Sequence, residues 1–182
     1  ASTPSKRHAR GVSALLHGGL RADAAVYCHP AESGVGLREI KAFCLGQLDF
    51  RLTVPGRLPD TSEISHLAFA HQADNPGDAL MNGIDRLGAF AEQRAATLKH
   101  PLLDRSANLL ISHLGVGQPG THNRVASEGV AEGALTLLPG EDMAAVQAAV
   151  EGVVRTAVPQ ARLEWIAGIS GAEVPRDSPL YR

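Results

Sequence analysis

Residues 40–54 read as one strand whose second half, from Gln47, alternates without a break: Leu48, Phe50, Leu52 and Val54 are separated by Asp49, Arg51 and Thr53. In an extended chain successive side chains point to opposite faces, so this run is a strand with one apolar and one polar face. A sheet built from it must cover one face and can leave the other wet, which is the requirement of a two-layer domain. Pro55-Gly56 ends the strand, since proline brings no ladder donor and glycine tolerates tight turns.

The period then changes. Residues 78–98 carry Leu80, Ile84, Leu87 and Phe90-Ala91 at helical spacing. Leu109-Leu110-Ile111 opens another strand, 115–120 is a glycine-containing turn, and 125–138 is a strand or strand pair. Pro139-Gly140-Glu141-Asp142 opens a second helix that runs to about Ala157 and stops before Pro159. Its acidic start suits the positive end of the helix dipole. Residues 161–166 form the last strand. Between Leu37 and Ala167 the order is therefore β-α-β-β-α-β, an α+β ferredoxin-like two-layer sandwich with two helices on one face of a four-stranded antiparallel sheet. Upstream, 12–20 reads as the end of a helix stopped by Gly18-Gly19, and 23–28 as a short strand of the kind buried in a parallel sheet. Its partner strands are nowhere in the sequence. The expected organisation is a helix-strand remnant of an α/β domain over 1–34, the ferredoxin-like domain over 35–168, and a tail over 169–182.

Charge removes some classes of function. The formal net charge is −2, which offers no electrostatic reason for a nucleic-acid or anionic-membrane partner. No run approaches the roughly 18 apolar residues of a membrane span. The first residues lack the apolar segment of a signal peptide. Cys28 and Cys44 have no CxxC spacing and are expected as buried free thiols in a reducing compartment. A cytoplasmic protein is the expectation.

Eight histidines need separate weighing. His8 and His17 read as solvent-facing, His100 as a residue at a helix end, and His113 as packing or surface. His29 stands at the end of the buried strand, before Pro30, where α/β proteins hold ligands and metals. A catalytic zinc nevertheless needs about three protein ligands, and no others lie near it in sequence. His66 and His71 occupy the loop between the first long strand and the first helix. Five residues apart, they do not share a helical face, but a loop histidine can donate a hydrogen bond to a developing oxyanion. In 115–124 the glycines permit close backbone approach, while Asn123 and Arg124 offer donors suited to a carboxylate. The spacing is not GxGxxG, and neither a GxSxG elbow nor a P-loop is present.

Taken in order, these landmarks resemble the family of aminoacylases, acetylornithine deacetylases, succinyl-diaminopimelate desuccinylases and glutamate carboxypeptidases. Residues 19–30, GLRADAAVYCHP, resemble the helix and strand just before the family's lid domain. Residues 47–57, QLDFRLTVPGR, resemble its first lid strand and closing turn. Asn75-Pro76-Gly77-Asp78-Ala79-Leu80 resembles the start of its first lid helix, 115–125 its substrate-contacting asparagine segment, and Leu138-Pro139-Gly140-Glu141 the entry to its second lid helix. Three departures stand out. His29 replaces the usual acidic zinc ligand, as in the amidohydrolase branch. The lid histidine's strict spacing after Gly56 falls on Asp60. Thr136 stands where an arginine is frequent, leaving Arg124 as the substitute.

The resemblance implies the lid, or dimerisation, domain of a zinc-dependent hydrolase acting on the amide bonds of N-acyl amino acids or small peptides. The whole enzyme would hold two zinc ions, with His29 among their ligands; this chain alone would be inactive and bind no stoichiometric zinc. One of His66 and His71, His66 by preference, would act catalytically in trans within a homodimer formed through the lid. Asn123 and Arg124 would bind substrate. The alternative is a free-standing ferredoxin-like module that dimerises or binds a small ligand without catalysis.

Overall fold

The computed structural model describes residues 10–22, 42–101, 103, 105–175 and 177–179. The expected strand at 23–28, with Cys28 and His29, lies outside them, as does His8. The chain divides into two units, Cys44–Ala172 and Ala1–Phe43 with Glu173–Arg182. In the second unit, α1 (Arg10–His17) ends at the expected glycines, with Gly19 at φ 92°. His17 is exposed.

In the first unit the alternating run is β2 (Gly46–Pro55), and Leu48, Phe50, Leu52 and Val54 on it are fully buried. It is followed by a 3-10 helix (Leu67–Gln72), α2 (Pro76–Thr97), β3 (Leu109–Val116), β4 (Glu128–Leu137), α3 (Met143–Ala157) and β5 (Arg162–Ile169). The sheet order is β3-β4-β2-β5, with every neighbouring pair antiparallel. The β-α-β-β-α-β order is therefore realised as a two-layer α+β sandwich. A separate two-stranded sheet pairs β1 (Phe43–Cys44) with β6 (Ala172–Glu173), so the ends of the Cys44–Ala172 unit lie side by side. Cys44 carries a free thiol but is exposed. This corrects the expectation of burial: the two-residue strand that carries Cys44 is half-buried at Phe43 and exposed at Cys44.

Both helices bury one stripe. On α2 it is Pro76, Leu80, Gly83, Leu87, Ala91 and Arg94; on α3 it is Val146, Val150 and Val154. These spacings of three and four place the residues on one face. Leu80 and Leu87 of α2 and the three valines of α3 form one core with Leu48, Phe50, Leu52, Ala131 and Leu135 of the sheet. Each large side chain there contributes about 1.5–3 kcal/mol by leaving water. Helix α2 starts where Asn75 Oδ1 accepts the Gly77 N–H at 3.1 Å, with Pro76 at the first helical position. Helix α3 starts where Asp142 Oδ1 accepts the Ala144 N–H at 2.9 Å. Both are N-caps, which satisfy donors that the helix itself cannot.

One irregularity lies just before the loops at this end of the sheet. A bulge in β3 between Ile111 and His113 shifts its register against β4. Beyond it Leu114 and Val116 pair with Ala131 and Gly129, and His113 stands exposed opposite Glu132. A bulge re-aims the side chains that follow it, and here the strand delivers them directly into the Gly117 turn.

Candidate functional site

The chain leaves β2 through Gly56 and Arg57 and returns to the fold at Asp74. The base of this excursion is a closed rung: Arg57 N–H donates to Asp74 O at 3.1 Å, and Asp74 N–H donates to Arg57 O at 2.9 Å. The side chains repeat the link, with Arg57 Nε to Asp74 Oδ2 at 2.7 Å. This hydrogen bond, and then the charge of Arg57, hold the Asp74 carboxyl below its ordinary range, while Asp74 raises Arg57. Gly56 cannot carry a side chain. A Cβ there would run into the Ala126 carbonyl and lie 2.8 Å from Pro76 Cδ. Gly56 N–H donates to Ser127 O at 2.8 Å, so the excursion starts against the chain that enters β4.

That second segment leaves β3 at Gly117. Gly117 and Gly120 have φ of 65° and 87°, the left-handed region that side chains avoid. They turn the chain so that Asn123, Arg124 and Val125 run past Ile64 and His66. Three hydrogen bonds join the two segments. His66 N–H donates to Asn123 O at 2.7 Å, Val125 N–H donates to His66 Nδ1 at 3.2 Å, and Arg124 Nε–H donates to Ile64 O at 3.2 Å. An imidazole that accepts at Nδ1 carries its proton, when neutral, on Nε2. His66 thus presents an N–H donor with no partner in the clasp.

The two segments border an open depression of about 740 Å³, lined by Leu58, His66, Asn75, His122, Arg124 and residues of the Gly117 turn. Of the residues singled out from sequence, His66 and Arg124 line it. Asn123 contributes its carbonyl to the clasp, and its exposed side chain is not among the lining groups. His71 is elsewhere: it sits exposed on the 3-10 helix with its ring 3.5 Å from the Gln72 amide. Sequence reasoning did not single out His122, Asn75 or the Val125 amide. His122 adjoins Asn123 and could have been weighed with it; a backbone N–H has no sequence signal. Among the described residues no group of three or more His, Cys, Asp or Glu could hold a metal ion. These residues fit no zinc site. No described helix is long and apolar enough to cross a membrane.

No protein-family model and no curated protein matches the sequence. Solved structures do match in shape. A metallo-carboxypeptidase of the M20 family from Sulfolobus solfataricus matches with a TM-score of 0.55 at 12% identity, over 75% of this chain and 46% of its own. The aminopeptidase PepT from Bacillus cereus gives 0.54 at 14%, over 77% and 34%. A tripeptidase from Staphylococcus aureus gives 0.53 at 14%, over 76% and 33%. The chain therefore shares the fold of part of these hydrolases, as the resemblance in sequence implied, and it spans less than half of their length.

Proposed function

We propose that Cys44–Ala172 is the lid, or dimerisation, domain of a zinc-dependent hydrolase of amide bonds, acting on N-acyl amino acids or small peptides as part of a cytoplasmic homodimer. The fold shared with M20-type peptidases supports this reading, as does the side-by-side placement of the unit's two ends, which suits a domain inserted in another. The observation that carries it is the Val125 N–H bond to His66 Nδ1. It favours His66 over His71, because it leaves a preorganised Nε2–H that would meet the oxyanion of a scissile carbonyl in the partner subunit. A donor oriented before the reaction stabilises developing charge without reorganising. The remaining N–H groups of Arg124 and the amide of Asn123 would hold the substrate carboxylate. The two zinc ions of the whole enzyme would supply Lewis-acid activation and a nucleophilic hydroxide. Their ligands would come from outside the described residues, His29 among them.

The test is steady-state kinetics of the full-length enzyme. Loss of one oxyanion donor costs about 10²–10³ in kcat, and His66→Ala should show a loss of that order with little change in KM. His71→Ala should leave turnover intact. Equal turnover by both variants would remove His66 from catalysis.

A further inference from the structure

We propose that Arg124 is a positioning residue, whose latch on the Ile64 carbonyl keeps His66 in a single tautomer with Nε2 as the donor. What this does for turnover rests on the reading above; the tautomer itself does not. Pro59 is buried and Phe69 half-buried in the excursion, while the large side chains nearest His66 are exposed. Ile64 and Leu67, on either side of His66, are 72% and 74% exposed, so burial of these side chains does not pin the tip. The closed rung at Arg57 and Asp74 fixes only the base. The clasp joins the tip to the second segment: Asn123 accepts from the His66 amide, Arg124 reaches back to Ile64, and Val125 donates to the ring.

Two of those three bonds use the main chain of both segments or the ring itself. The third is made by a side chain that a substitution can remove. It carries a full charge on the donor, and charge-assisted bonds are about twice as strong as neutral ones. A free neutral imidazole exchanges its proton between the two nitrogens. Here the Val125 N–H excludes a proton on Nδ1, because two donors would then face each other, but only while the two segments stay in register. Arg124 holds that register from the side of the depression. Its Nε is committed to the loop, while its other nitrogens remain for a ligand.

The experiment is long-range ¹H–¹⁵N correlation NMR of the labelled chain at a pH where imidazoles are neutral, with His66 assigned by its absence in His66→Gln. The wild type should show an unprotonated, acceptor-type Nδ1 and a protonated Nε2. In Arg124→Ala the two nitrogens should converge toward the averaged positions of a freely exchanging ring, with the Trp165 indole unmoved. Arg124→Lys should restore part of the separation, since an ammonium can reach the same carbonyl. A ring in Arg124→Ala identical to wild type, or a wild-type proton on Nδ1, would overturn the proposal. So would a change that extends to Trp165, which would make the effect one of the whole fold. A locked tautomer combined with full turnover of His66→Ala would instead sink the donor reading and leave the latch standing.

Discussion

Replacing Arg94 with methionine should destabilise the sandwich by about 3 kcal/mol, since removing one partner of a buried ion pair costs about 3–5 kcal/mol. Arg94 is 8% exposed near the end of α2. Its Nη2 donates to both oxygens of Glu141 at 2.7 and 2.8 Å, and Nη1 donates to Thr136 O at 3.2 Å. Glu141 in turn accepts the Leu138 N–H at 2.6 Å, so the pair ties α2 to the turn between β4 and α3. The Glu141 side chain is 15% exposed in the intact pair, and without Arg94 it keeps the Leu138 amide as its remaining donor in this knot. Because the pair is not fully sealed, the low end of the range applies. Methionine keeps the apolar stem, so the loss reads the charge rather than packing. The double variant Arg94→Met/Glu141→Leu strands no charge. It loses hydrogen bonds at the Leu138 amide and the Thr136 carbonyl, about 1 kcal/mol each, and should be more stable than either single variant. Urea unfolding followed at Trp165 measures this. That residue is the one tryptophan of the sequence and sits on β5, 6.5 Å from the Phe50 ring centroid. With a slope of about 2 kcal/mol per molar urea, the single variants should lose about 1.5 M in midpoint. If the double variant lost the sum of the two single effects, the charges would be uncoupled and the reasoning refuted.

Other outcomes follow from features already described. Gly56→Ala should cost about 1–3 kcal/mol, as overpacking does, and a lower melting temperature should coincide with loss of the His66 ring signature, because Gly56 lies against Ala126. Leu87→Ala, at a fully buried position, should cost about 2–5 kcal/mol in the same urea assay, yet leave the His66 tautomer unchanged. Asp74→Asn should be less stable than wild type at neutral pH. Arg57 lowers the Asp74 pKa in the folded state, so the ion pair stabilises fully above the ordinary carboxylate range and fades as pH falls through the lowered value. The melting temperatures of the two proteins should therefore converge in acid, and a constant gap at every pH would contradict the assignment.

Much of the sandwich was legible in sequence because its cause is periodic. Leu48 to Val54 and the stripe from Leu80 to Ala91 each repeat a signal several times, and every repeat constrains the next. The boundaries were less legible. Of the run expected from Ile40, the described residues form β1 at Phe43–Cys44 and β2 from Gly46, and 125–138 is a single strand that starts at Glu128. The bulge at Ile111–His113 was invisible, since one extra residue in a strand changes register without changing composition. In the site, His66 and His71 could not be separated from sequence. Their difference lies in the Val125 amide and the Asn123 carbonyl, groups that every residue carries. Arg124 was visible as a donor, but its engagement with Ile64 depends on a contact across 60 positions.

The excursion from Arg57 to Asp74 is anchored twice, at its base by the rung and in its middle by the clasp on His66. Each anchor converts one long closure into shorter ones, and closure entropy grows only as the logarithm of length, at about 0.6 kcal/mol per doubling. Residues inserted between the buried Pro59 and Ile64 would lengthen that arc without carrying the imidazole away, because its position is set by hydrogen bonds and not by distance along the chain. Counting forward from Gly56 reaches Asp60 and finds no imidazole there. For anyone redesigning this loop, its length is the adjustable quantity and its two points of attachment are the specification.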